Sequence, residues 1–158
     1  MTLTLRQLCA SAALMGMLAD SSALAQAVPT ATAAATSMAD DQLFKDLGGK
    51  PGLVKLMEDF VPRLYADPRI GSFFKETKPK FLKDQLADQF CVVSGGGCTY
   101  DGADMKSAHS SMAITQANFN ALVEDLQLAM DAQGIAFRVQ NKLLAQLAPM
   151  YRMIVNAP

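Results

Sequence analysis

The chain has 158 residues, 51% of them hydrophobic, and a formal net charge of -1. That length supports one domain with its own core and not two. A near-neutral chain without a clustered basic face has nothing to hold a phosphate backbone, which argues against nucleic acid as a partner.

Residues 1–27 read as an export signal rather than as structure. Arg6 and the amino terminus supply early positive charge, and residues 8–18 (LCASAALMGML) form an apolar run. A bilayer-spanning helix needs about 20 such residues, so the run suits a signal-peptide core better than an anchor. Ala25 and Ala27 are the small residues a signal peptidase reads, and cleavage is expected after Ala27. The mature protein is then exported, periplasmic or secreted, with no stable membrane insertion; an uncleaved anchor is the alternative. Residues 28–39 are rich in Ala and Thr without apolar periodicity and read as a linker. The folded domain is expected over 40–156.

From there the spacing of apolar residues is helical throughout, which predicts an all-α fold. Residues 41–46 make a short first helix, stopped by Gly48 and Gly49. A second runs over about 51–65 with Leu53, Val54, Met57, Phe60 and Leu64 on one stripe, and Pro62 is expected to bend its last turn. A third, over 79–93, carries Leu82, Leu86, Gln89, Phe90 and Val93. The stretch SGGGCTYDGAD is loop. One helical turn follows over 105–109, and Thr115 caps the next helix, whose expected buried stripe is Phe119, Leu122, Val123, Leu126 and Met130. The last helix is expected over about 136–155, kinked late by Pro149.

Removal of the signal leaves Cys91 and Cys98, an even count that favours a disulfide in an oxidising compartment. A catalytic thiol is the sharper alternative, but it needs a base, and only one histidine is present to serve. That histidine, His109, excludes a multi-histidine zinc site. By itself a lone histidine is more often structural. The ten methionines would suit an adaptable wall around a flat ligand, and equally ordinary core filling.

The company His109 keeps changes its meaning. The segment holding Gly95-Gly96, Tyr100, Gly102, Met105, His109 and Ile114-Thr115 resembles the proximal region of group I truncated haemoglobins. Upstream, LFKDLGGKPGL is similar to that family's short first helix and Gly-Gly hinge, and DFVPRLYADPRIGSFF to its second helix and paired phenylalanines. The register holds without a gap from Gly48 to Thr115, and the resemblance covers residues 41–155. It implies a two-over-two helical sandwich around haem b, with His109 as the protein ligand to the iron and a diatomic gas on the opposite face. Phe74, Leu82, Gln85, Leu86, Met105, His109, Ile114 and Phe119 are the expected cofactor-binding residues. Thr77, Lys80 and Tyr100 are within expected reach of the propionates, or are simply solvated.

The departures from the family's pattern fall in the distal pocket, expected to hold Val61, Gln85, Leu86 and Gln89. The family usually places a gas-binding Tyr where this chain has Val61, and often a Gln where it has Leu86. Gln85 and Gln89 are the remaining polar candidates. Loss of a donor predicts fast oxygen release and easy oxidation to the ferric state. A non-enzymatic gas-binding protein is the reading favoured here. The alternatives are a haem enzyme, such as a nitric oxide dioxygenase served by an unidentified electron donor or a peroxidase, and an apo helical protein-interaction module.

Overall fold

A computed structural model describes residues 41–158, so the expected signal and linker lie outside the described residues. Every regular element among the described residues is helical: α1 (Gln42–Asp46), α2 (Gly49–Ala66), α3 (Pro79–Val93), α4 (Met105–His109), α5 (Gln116–Ala132), α6 (Phe137–Leu147) and α7 (Tyr151–Ile154). Single 3-10 turns over Gly71–Phe74 and Ala148–Met150 link α2 to α3 and α6 to α7.

The boundaries follow from local chemistry. Gly48 and Gly49 take φ of 82° and 65°, a left-handed bend that side chains resist, and this lets α2 start with only Leu47 and Gly48 between it and α1. Pro79 occupies the first turn of α3, where a missing N–H costs nothing. Thr115 and Asn118 form a reciprocal capping box at the head of α5: Asn118 N–H donates to Thr115 Oγ1 at 3.2 Å, and Thr115 N–H to Asn118 Oδ1 at 3.0 Å. Pro62 lies inside α2, which runs on for another turn to Ala66.

α2 is the centre of the core. It packs on α3 along one side and α5 along the other, while α6 closes against α5, α3 and α1. Ion pairs Lys50–Asp88 and Lys83–Glu58 tie α2 to an antiparallel α3. Leu53, Leu56, Met57, Phe60 and Leu64 of α2 are buried with Phe90 and Cys91 of α3, Leu126 and Met130 of α5, and Leu143 of α6. Burial of one such side chain contributes about 1.5–3 kcal/mol. The pairs α2/α3 and α5/α6 give the two-over-two arrangement expected from the sequence.

The final helical stretch is interrupted late at Pro149, as expected: α6 gives way after Leu147 to the 3-10 turn holding Pro149, and the chain continues through helical dihedrals into the four-residue α7. Pro149 has no N–H to continue the α-helical ladder, so the change of helix type falls there. One expectation needs correction. On α5 the buried stripe is rotated. Ala121, Asp125, Leu126, Ala129 and Met130 are buried, whereas Phe119, Leu122 and Val123 are half-buried. Ala121 and Ala129 are small enough to sit on the face of α5 that is buried in the core.

Candidate functional site

The site is built on α4, a five-residue helix that cannot stand without help. At its start the Asp104 carboxylate accepts hydrogen bonds from Ser107 N–H at 3.0 Å and Ser107 Oγ at 2.6 Å. The same bonds hold the Asp104 carboxyl below its ordinary pKa. At its end stands His109, half-buried. Its Nδ1 lies 2.7 Å from the carbonyl oxygen of Met105, one turn earlier. A carbonyl can only accept, so Nδ1 carries the proton. That tautomer leaves its lone pair on Nε2.

α3 presents the facing wall. Leu82, Gln85, Leu86, Gln89 and Val93 recur at helical spacing, and all but the buried Gln89 are half-buried. Gln89 donates its amide to the sulfurs of Met105 at 3.2 Å and Met150 at 3.5 Å, which draws α4 and the turn before α7 onto α3. Gln85 lies over Gly102, where its Oε1 fills the space a Cβ would need. The two glutamines weighed as distal donors are therefore both turned toward the loop and helix that carry His109. Val61 is fully buried. Among the expected distal residues, this leaves Val61 and Leu86 with no polar group to offer.

Phe74 is half-buried and packs at a tilt against Tyr65, ring centres 5.9 Å apart. The Tyr65 hydroxyl donates to the Thr77 carbonyl, which fixes the corner between α2 and α3. Phe119 meets Tyr151 edge to face at 5.1 Å. Ile114 is buried, and its backbone is engaged by Asn156. The expected propionate partners have other company: Lys80 pairs with Asp84 at 2.7 Å, and the Tyr100 hydroxyl donates to the Ala103 carbonyl at 3.1 Å. Burial, with Asp101 and Asp104 nearby, raises the Tyr100 pKa. Cys91 and Cys98 are joined, Cα atoms 5.8 Å apart, across the glycine loop between α3 and α4. Gly96 lies against Phe44 and the Cys91 sulfur with no space for a Cβ.

Among the described residues no three His, Cys, Asp or Glu side chains converge on a bare-ion site. A single imidazole with a free Nε2 would instead be the one protein ligand to an iron whose other donors come with its own prosthetic group. The apolar rim of Phe74, Leu82, Leu86 and Leu122, half-buried at the edge of the core, suits the faces of such a group. The residues present fit haem.

The bacterial-like globin family matches residues 42–156. The chain belongs to that family. The group 1 truncated haemoglobin GlbN of Mycolicibacterium paratuberculosis is 30% identical over 108 residues, 68% of this chain and 79% of the relative. The group 1 truncated haemoglobin of Tetrahymena pyriformis is 28% identical over 63% of this globin and 83% of its own length. Its Fe(III) crystal form superposes with a TM-score of 0.70 at 24% identity, over 72% of this chain and 97% of that one. The 2/2 haemoglobin of Synechococcus sp. PCC 7002, solved in the cyanomet state with covalently attached haem, gives 0.68 at 22% identity, over 72% of this chain and 98% of that one. At these identities the two structures speak for the fold, and the family match extends across every helix from α1 to α7.

Sequence reasoning placed α4 over 105–109 with His109 at its end, and Leu82, Leu86 and Val93 at helical spacing on α3. It missed Asn156, which sits outside any helix and whose partners lie more than forty residues away in the chain.

Proposed function

We propose that this globin binds haem b through His109 Nε2 and takes up a diatomic gas on the opposite face. Haem supplies an iron that accepts an imidazole on one side and oxygen, nitric oxide or carbon monoxide on the other. The observation that carries the reading is the His109–Met105 hydrogen bond: it selects the tautomer that can ligate and fixes the plane of the ring. Met105, Ile114 and Phe119 wall the histidine side. Phe74, Leu82 and Leu86 wall the gas side and keep water away.

The apolar gas side sets the behaviour of the protein. Solved Tetrahymena pyriformis structures include variants at one tyrosine and two glutamines. The steps between those positions equal the steps from Val61 to Leu82 and Leu86. In that register three hydrogen-bonding side chains give way here to three aliphatic ones. Without a donor the gas is held by the iron alone, so oxygen leaves fast and the ferric state forms readily. Peroxidase chemistry uses a distal acid–base residue, and Val61, Leu82 and Leu86 provide none. Reversible gas binding is the better fit.

Export completes the proposal. The signal-like residues 1–27 and the cysteine pair both suit an oxidising compartment outside the cytoplasm. Absorption spectra of the purified protein in ferric, ferrous and carbonyl forms test the haem assignment. A strong Soret band with a five-coordinate ferrous spectrum is expected, and the band is expected to collapse in His109→Ala. An unchanged spectrum in that variant overturns His109 as ligand.

A further inference from the structure

We infer that Asn156 is a positioning residue for the iron-binding imidazole, clamping the end of α4 so that His109 presents Nε2 at a fixed angle. This rests on the reading of His109 as the haem ligand. The Asn156 side chain makes two bonds at once. Its Nδ2 donates to the His109 carbonyl at 2.6 Å, and its Oδ1 accepts from Ile114 N–H at 2.8 Å. Its backbone N–H and that of Ala157 both donate to the Ile114 carbonyl, at 3.0 and 3.1 Å.

The segment so clamped needs it. α4 has five residues, and Asp104 secures only its first turn. After His109 the chain turns through Ala113, whose φ of 50° is a left-handed conformation that a residue with a Cβ resists. A strained bend beside a one-turn helix would relax if nothing held both of its ends. Asn156 holds both: the carbonyl at the end of α4 and the N–H just past the bend. The role requires an amide, since one end must donate and the other accept. An aspartate in its place keeps the acceptor but turns a second acceptor toward the His109 carbonyl. The bonds to the Ile114 carbonyl come from backbone and survive any side-chain change. The side chain's effect on His109 is therefore separable from the docking of residues 155–157.

The test uses the full-length, haem-loaded protein and its Asn156→Ala and Asn156→Asp variants, with His109→Ala as control. The iron–imidazole stretching band of the ferrous form and the rate of haem transfer to an excess of apomyoglobin are measured, with hydrogen exchange of the Ile114 amide in the haem-free chain. Both Asn156 variants are expected to shift or broaden the band and to release haem about tenfold faster. Asn156→Ala is expected to speed Ile114 exchange, and Asn156→Asp, which keeps the acceptor, to leave it near the wild-type rate. An unchanged band with haem release within twofold of wild type, in whichever of the two variants folds, overturns the inference. A wild-type band that persists in His109→Ala instead overturns the ligand assignment, so the two failures are told apart.

Discussion

Gln89 on α3 and Met105 on α4 meet at 3.2 Å, amide to thioether. A thioether is a weak acceptor, so the contact joins the two helices without fixing the amide strongly. It also commits Gln89 to the histidine side. Gln89→Leu is therefore expected to leave the oxygen dissociation rate within about twofold of wild type, because a side chain bonded to Met105 and Met150 does not stabilise the gas. Stopped-flow displacement of oxygen by carbon monoxide measures this. A large acceleration in Gln89→Leu would return the residue to the distal side.

Leu86 offers the opposite experiment. It is half-buried at the rim of the core, so a longer polar side chain can be admitted there without crowding. Val61 is fully buried, which makes it the harder position at which to install a longer side chain. Leu86→Gln is expected to restore a donor and to strengthen oxygen retention by about 1–3 kcal/mol, slowing release roughly 5- to 150-fold. Autoxidation should slow with it. If release and autoxidation both stay at wild-type rates, the lack of a donor is not what limits oxygen retention.

The elements that frame the site were legible because their signals are local. Pro79 at the head of α3, the Thr115 cap before α5 and the glycine hinge before α2 each act within one turn. The family resemblance then gave His109 its meaning. What stayed hidden depends on direction or distance. Gln85 and Gln89 occupy the expected face of α3, yet which way their amides turn is decided by Gly102, Met105 and Met150. The buried Asp125 breaks an otherwise apolar stripe, and only the packing of α5 on α2 places it inside.

The Cys91–Cys98 bridge closes a short loop between α3 and the strand of chain leading to α4. Loop-closure entropy for that length is about 2.5 kcal/mol. The double variant Cys91→Ser, Cys98→Ser is expected to melt roughly 10 °C lower by differential scanning calorimetry. Reductant should produce the same fall in the wild type and none in the variant. Equal melting points for the two proteins would mean that the thiols are free in solution.

Asp125 gives a pH signature. It is 6% exposed and its Oδ2 has no hydrogen-bond partner. Burial pushes its carboxyl above the ordinary 3.8, and the Asp67 carboxylate pushes the same way, while Arg69 and Arg63 pull back. Asp67 itself is held below 3.8 by hydrogen bonds from Arg69, so it stays charged beside its neighbour. A carboxyl with a higher pKa folded than unfolded binds its proton more tightly in the native state. Its ionisation therefore costs stability as pH climbs from the unfolded value through the raised folded one. Below 3.8 the group is protonated in both states and the cost vanishes. Asp125→Asn cannot ionise, so it is expected to be more stable than wild type at neutral pH and to lose that advantage as the solution is acidified. Urea midpoints across that range measure the difference. A variant less stable than wild type at neutral pH would show that Arg63 and Arg69 hold a charged Asp125 favourably, and that its carboxylate supports the α2–α5 contact.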